Sequence, residues 1–571
     1  MDYLVEYEKW LNRADDETVV GELKALKGKN DALESSFSGE LSFGTAGLRG
    51  ILGAGTNRMN VYTVRRATQG LAIYINECYG GGSVSIAYDS RNMSLDFAQE
   101  AAAVLAANDI SVFIYDRLMP TPMLSYAVRE NKSKAGIMIT ASHNPAEYNG
   151  FKVYGADGCQ MTVEDADAVY MRIQKVDIFD DVKHMSFTDA LDSGLVKYIG
   201  KRTVEQYYAA VKEQSIYKDI CQRYPLKVVY SPLNGTGNEP VRRILRDMGN
   251  TEVSVVPEQE MPDGNFPTCK YPNPETREAL ALGLELCAEK RPDIFIATDP
   301  DADRIGVAFK DGDDYRILTG NEIGALLLNY IITARTDTKT MPERPIAVKS
   351  IVSTDLATQI AKDAGVEMRN VLTGFKFIGE QLLLLEQKGE EKRFIFGFEE
   401  SCGYLCGSYV RDKDAVLAAE LLCEMTSYYM SKKRTVISVL EGLYDKYGFY
   451  IHSVDNIAFM GLDGTKKMQD VMKRFYESYP TKVCDFEVVT VKDYKTRKAK
   501  HLLTGAGEPI ELPEADVVEL LLENNSKIIV RPSGTEPKMK IYITTCEKTR
   551  DDSLELAKRL SEEIRRFAQI T

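Results

Sequence analysis

The sequence has one tryptophan, four histidines and no cysteine pair at Cys-x-x-Cys spacing in 571 residues. Its ten cysteines are scattered, whereas a secreted disulfide framework is shorter and denser in cysteine. Cys402 and Cys406 are four apart, but no histidine lies near them, so no zinc site is expected. No stretch reaches the ~18 apolar residues of a membrane helix. The opening MDYLVEYEKWLNRADDETVV is charged from its second residue and has no apolar signal-peptide core. Positive charge is also scarce, with 71 Lys and Arg against 85 Asp and Glu and a net charge of −14. Nucleic-acid binders need a basic surface to displace counterions. The expectation is a cytoplasmic, reduced, soluble protein, without nucleic-acid or membrane partners. G-x-S-x-G, Walker A and G-x-G-x-x-G motifs are missing too, which speaks against the common esterase, P-loop and dinucleotide sites.

The chain does have 44% hydrophobic residues, ample material for several cores. Apolar, β-branched runs alternate with helical patterns, which points to α/β layers. VSIAYDSR, AGIMITASHNP, LKVVYSPLNGTG, DIFIATDPDADR, PIAVKSIVST and RFIFGFEES each empty into a loop of Gly, Ser, Thr, Asp or Asn. One architecture used three times is expected, in segments 1–202 (with an N-terminal helical extension), 203–318 and 319–455. The remainder, 456–571, reads as a smaller α+β domain: two strands in KIIVRPSGTEPKMKIYITT and a terminal helix, LELAKRLSEEIRRFAQ.

Four loops carry chemistry. In ATDPDADRIG, Asp299, Asp301 and Asp303 project the same way if the loop is extended, and oxygen-only ligands suit a hard cation such as Mg²⁺. The plain alternative is an acidic surface turn. RPSGTEPKMK offers Arg531, Ser533, Gly534, Thr535, Lys538 and Lys540 as an anion cradle, or merely a hairpin turn. GFEESCGY places Glu399, Glu400 and Ser401 after an apolar strand, suited to sugar hydroxyls or to solvent. TASHNPAEYNG sets Ser142 at a strand exit, as a nucleophile or a helix cap. His143 and Lys152 are nearby bases for its proton, although adjacency alone does not make His143 face Ser142, since neighbours on an extended chain point opposite ways.

Taken together, a hydroxyl nucleophile, a carboxylate metal loop, a sugar loop and an anion cradle, one per segment, suit phosphoryl transfer on a sugar. A phosphate on Ser142 adds about −2, so cations such as Arg49, Arg304, Lys376, Arg531 and Lys538 are needed against the three aspartates.

FGTAGLRG, TASHNP with NGFK, DPDADR, GFEES and RPSGTEP, in this order, resemble the α-D-phosphohexomutase superfamily across essentially the whole chain. The resemblance implies three similar mixed-sheet α/β domains and a C-terminal α+β domain like the TATA-binding protein, around a central cleft. It implies Ser142 as phosphoserine, with Asp299, Asp301 and Asp303 and a phosphoserine oxygen holding Mg²⁺. It implies His143 and Lys152 for acid–base work, and substrate contacts from Arg49, Arg304, Lys376, Glu399, Ser401, Lys413, Arg531, Ser533, Gly534 and Thr535. The implied activity moves a phosphoryl group within a sugar phosphate through a bisphosphate, glucose 1,6-bisphosphate if the sugar is glucose. Glu-Glu-Ser favours glucose, while the FEES and DKDA spellings also resemble pentose-phosphate members; mannose is a weaker alternative. A sugar phosphatase and a non-catalytic sugar-phosphate sensor are the rival classes. A monomer or homodimer is expected.

Overall fold

The structure, a computed structural model, describes residues 2–44, 47–249, 252–459, 464–532 and 538–570. The apolar runs fold as strands of four sheets, and the helical-period segments between them cover the faces.

The first sheet runs Gly47–Ile51, Tyr148–Gly155, Ala135–Ile139, Ser83–Tyr88, Ser111–Ile114, Val196–Tyr198. The second runs Asp314–Leu318, Ile305–Asp311, Ile294–Thr298, Lys227–Ser231, Glu252–Val255, and the third Glu367–Val371, Ile346–Ser350, Phe394–Glu399, Gly403–Leu405. All share one device. A fully buried strand pairs parallel on one side, leaves the sheet in a loop, and returns as its own antiparallel neighbour. This happens between Ala135–Ile139 and Tyr148–Gly155, between Ile294–Thr298 and Ile305–Asp311, and between Phe394–Glu399 and Gly403–Leu405. The strands are buried on both faces, which explains their unbroken apolar runs. TASHNP, DPDADR and the EES turn occupy the same topological position in successive domains.

The fourth sheet is antiparallel, with Phe449–Ala458 beside Lys538–Glu547, then Lys527–Pro532, Val518–Leu522 and Phe486–Asp493. Helices Gly464–Glu477 and Arg550–Ala568 bury Phe475, Leu560 and Ile564 with Leu520, Ile528 and Ile541 of the sheet. The expected boundary between 455 and 456 is corrected. It cuts through Phe449–Ala458, all of whose ladder partners lie in the fourth sheet, so the division falls ahead of Phe449.

The N-terminal helices Tyr3–Arg13, Glu17–Leu26 and Asn30–Phe37 belong to the first core. Trp10 is fully buried, edge-on to Phe37, Tyr62 and Phe179. Helix Ala415–Ser431 is buried from Ala415 to Tyr429. Its Glu424 accepts bonds from the Tyr330 hydroxyl (2.6 Å) and from the N–H groups of Ile216 (2.8 Å) and Tyr217 (2.7 Å), so it cements the second domain to the third. The fourth domain is clasped to the third by Lys527 Nζ, which donates to Asp355 Oδ2 at 2.7 Å and to the Ile351 carbonyl at 3.0 Å. Lys349 holds the other oxygen of Asp355 at 3.0 Å. Among the described residues no helix is long and apolar enough to cross a membrane.

Candidate active site

The Ser142 loop starts where the strand Ala135–Ile139 ends. The Thr140 hydroxyl accepts the Ser142 N–H at 2.8 Å, and Ser142 takes a left-handed φ of 53°, a conformation L residues avoid without support. The turn sends Ser142 Oγ into the second domain, where it donates to Asp299 Oδ2 at 2.8 Å. It also swings His143 Nδ1 to 3.2 Å from Ser142 Oγ. On an extended chain the two side chains would diverge, and this turn brings them together. Gly150, in NGFK, lets the returning strand close on the loop: a Cβ there would lie 2.5 Å from the Thr140 carbonyl.

The aspartate loop is not extended either. Ala302 has φ 48°, and Asp299 Oδ1 accepts the N–H groups of Asp303 (3.1 Å) and Arg304 (3.0 Å). This curl still gathers one oxygen from each of Asp299, Asp301 and Asp303 within 4.8 Å of the others, all three residues being buried. Asp301 Oδ2 accepts from Lys152 Nζ at 2.9 Å and from the Thr121 hydroxyl at 3.0 Å. Burial, then the neighbouring carboxylates, pushes Asp299 well above the usual carboxylate range. Burial pushes Asp301 the same way, but the Lys152 ammonium outweighs it and holds that carboxyl low. Asp301 Oδ1 and Asp303 Oδ1 are buried without a hydrogen-bond partner. Buried polar atoms rarely stay unmatched. Two such oxygens in an all-carboxylate cluster fit a hard divalent cation.

From the third domain, Glu399 ends a buried strand and accepts the Gly374 N–H at 2.7 Å. Burial and then Glu400 push its carboxyl up to about 7. Ser401 follows, half-buried, in the turn. Lys413 Nζ lies 3.1 Å from Asp303 Oδ2 and 3.0 Å from Asp412 Oδ1; Gly403 leaves room for its stem, since a Cβ there would clash with Lys413 Cδ. Arg304 donates to Glu275 at 3.1 Å, and Arg49 to Asn144 Oδ1 at 3.1 Å. Burial and then the Arg304 and Arg49 guanidiniums hold His143 well below the usual imidazole range, hence neutral.

In the fourth domain, Arg531 is half-buried near the end of Lys527–Pro532, in register with Lys540. Tyr542, on the neighbouring strand, packs in one buried cluster with Ile351, Val352 and Leu372, so this face of the fourth sheet lies against the third domain. Ser533, Gly534 and Thr535 lie outside the described residues. Lys376 is the exception among the expected residues. It lines a separate cavity of about 350 Å³ with Tyr74, Cys159, Phe377 and Glu380, which neither Ser142 nor the three aspartates touch. It occupies the second position of helix Phe375–Glu386, where its carbonyl accepts from Cys159 at 3.5 Å.

Sequence reasoning missed Thr121, Asp412 and Arg91. Thr121 opens a helix, a visible signal, but its contact with Asp301 spans 180 residues and has no local trace.

Residues 40–178, 205–312 and 319–447 match, in turn, the alpha/beta/alpha domains I, II and III of the phosphoglucomutase/phosphomannomutase family. A phosphoglucomutase of Staphylococcus saprophyticus is 37% identical over 511 residues, 89% of this chain and 91% of that one. Among solved structures, parafusin, a phosphoglucomutase from Paramecium, superposes with TM-score 0.67 at 17% identity, covering 93% of this chain and 96% of that one. A phosphoglucomutase/phosphomannomutase family protein from Burkholderia thailandensis superposes with TM-score 0.63 at 17% identity, covering 92% and 97%. With three successive domain matches, a relative above a third identical and the serine–aspartate cluster at the domain junction, this chain belongs to the phosphoglucomutase/phosphomannomutase family and is a phosphohexomutase.

Proposed function

We propose that the protein interconverts glucose 1-phosphate and glucose 6-phosphate through a phosphorylated Ser142 and bound glucose 1,6-bisphosphate. One observation carries the reading: a buried serine hydroxyl 2.8 Å from a buried triple-carboxylate cluster that has two unmatched oxygens. Relatives named phosphoglucomutase favour glucose.

Phosphorylated Ser142 gives its phosphoryl group to the free hydroxyl of the sugar monophosphate. The bond to Ser142 Oγ breaks, a bond to the sugar oxygen forms, and the hydroxyl proton leaves to a base. His143, neutral and next to Ser142 Oγ, is suited to take it. The bisphosphate turns end for end, the bond between its other phosphorus and the sugar oxygen breaks as one to Ser142 Oγ forms, and the freed sugar oxygen takes the proton back from the base. Lys152 and Arg49 bring positive charge to the phosphoryl oxygens, and such transfer depends mostly on positioning and electrostatics. Glu399 and Ser401 receive the sugar hydroxyls. Arg531, Ser533, Gly534 and Thr535 hold the phosphate away from the reacting end, while Lys413 and Arg304 brace the aspartate loop. Asp299, Asp301 and Asp303 with the Ser142 phosphate would hold Mg²⁺, which when bound supplies charge neutralisation at the phosphoryl group.

The test is a phosphorus NMR time course with Mg²⁺ and a trace of glucose 1,6-bisphosphate, on glucose 1-phosphate, mannose 1-phosphate and ribose 1-phosphate separately. Fastest conversion of the glucose ester to its 6-phosphate is expected. Faster ribose or mannose conversion would reassign the sugar, and free phosphate in every sample would make the protein a phosphatase.

A further inference from the structure

One buried cation has no part in the steps above. The Arg91 side chain has no exposed surface. Its Nη1 donates to the carbonyls of Pro145 (2.8 Å) and Tyr148 (3.0 Å), and its Nη2 to those of Ser142 and Asn144, both at 2.5 Å. These acceptors belong to the loop that carries Ser142 and to Tyr148, where the returning strand begins. Behind the guanidinium, Asp89 Oδ2 lies 3.4 Å from Nε. Asp89 Oδ1 is fixed by the Arg91 N–H at 2.9 Å and the Ser94 hydroxyl at 2.7 Å. In front, the guanidinium carbon sits 5.0 Å from the centre of the Phe266 ring, in the domain that supplies Asp299. Gly264, two residues before Phe266, packs on the Arg91–Asn92 backbone so closely that a Cβ there would clash.

We infer that Arg91 is a positioning residue for phosphoryl transfer: by gathering the loop's carbonyls on one planar fork it holds Ser142 in its left-handed turn and its oxygen toward Asp299. Converging buried carbonyl dipoles repel one another and have no water to turn to. The guanidinium meets them with paired donors in a fixed geometry, which a lysine's single nitrogen cannot reproduce. Stacking on Phe266 ties that hold to the seating of the second domain, so loop geometry and domain contact are kept by the same side chain. The inference rests on Ser142 being the phosphoryl carrier.

The experiment uses full-length Arg91→Met and Arg91→Lys, with Phe266→Leu as a milder probe. Steady-state kinetics are combined with hydrogen–deuterium exchange of the peptide covering 140–150 in the absence of substrate. A displaced reacting atom costs on the order of 100-fold, so kcat of Arg91→Met should fall by about that factor with KM changed less than about threefold. Exchange in the loop should quicken, Arg91→Lys should recover part of both, and Phe266→Leu should loosen the loop less. Loop exchange and kcat like wild type in a folded variant overturn the inference, as does activity lost only in proportion to unfolded protein. If Arg91→Met does not fold, Arg91→Lys carries the same comparison. If wild-type protein fails to isomerise any sugar phosphate, the mutase reading falls, and loop exchange alone supports or overturns the positioning role.

Discussion

Lys413 leaves the third domain and sets its ammonium 3.1 Å from Asp303 of the second, sharing itself with Asp412 at 3.0 Å. The aspartate loop is therefore braced from a neighbouring domain. Removing one partner of a buried ionic group typically costs ~3–5 kcal/mol. Lys413→Met is expected to lose about that much in urea unfolding with chelator present, and to recover more on adding magnesium than wild type does. Equal stability of the two proteins in chelator would contradict the bracing role.

Ser142→Ala should lower kcat by on the order of 10³-fold or more while monophosphate binding, measured by calorimetry, stays largely intact. The methyl group removes the proposed phosphoryl carrier and the bond to Asp299 together. Turnover at the wild-type rate would end the assignment of Ser142.

Arg531→Ala should raise KM by the equivalent of ~1.5–3 kcal/mol, the worth of one hydrogen bond to a charged group. Unchanged KM and kcat would remove Arg531 from the site.

Glu399 supplies a pH dependence. Its carboxyl has an ordinary value of 4.5 and is raised to about 7 in the folded protein, first by burial and then by Glu400. Between those values the unfolded chain has released a proton that the folded chain keeps. Stability therefore falls as pH rises through that interval and levels off above it, by at most on the order of 3 kcal/mol for such a shift. Urea midpoints across this range should show the slope in wild type and a shallower one in Glu399→Gln. Identical slopes would mean Glu399 titrates normally.

The Lys527–Asp355 clasp behaves in the opposite sense. Burial would raise Asp355, but Lys349 and Lys527 outweigh it and hold the carboxyl low. Its stabilisation is present above the ordinary carboxylate range and is lost as pH falls below it. The carboxylate is 32% exposed, so Asp355→Asn should cost less than a fully buried pair, about 2–3 kcal/mol. Limited proteolysis should then cut near Gly448, ahead of the fourth sheet, sooner than in wild type.

The strand-to-loop rhythm was legible because strands buried on both faces must be apolar throughout, as in Ala135–Ile139 and Ile294–Thr298. The division ahead of Phe449 was not, because Phe449–Ala458 is half-buried for most of its length, with only Ile457 buried. The three aspartates could be read as a metal loop from their spacing. What gathers their oxygens is the left-handed turn at Ala302, a residue type that gives no hint of it. Lys376 was legible in TGFKFIG as a candidate, but its place in the first turn of a helix, lining a cavity apart from Ser142, is visible only in the fold. Arg91 sits in an ordinary strand exit, and the carbonyls its side chain binds begin 51 residues later, so only the folded chain reveals it.

The repeated loop position has a practical corollary. Ser142, the three aspartates and Glu399 sit at or just beyond strands of three different sheets, so no single sheet contains the candidate site. Enzymatic turnover thus reports quaternary-like assembly within one polypeptide, whose first three domains share one continuous buried cluster.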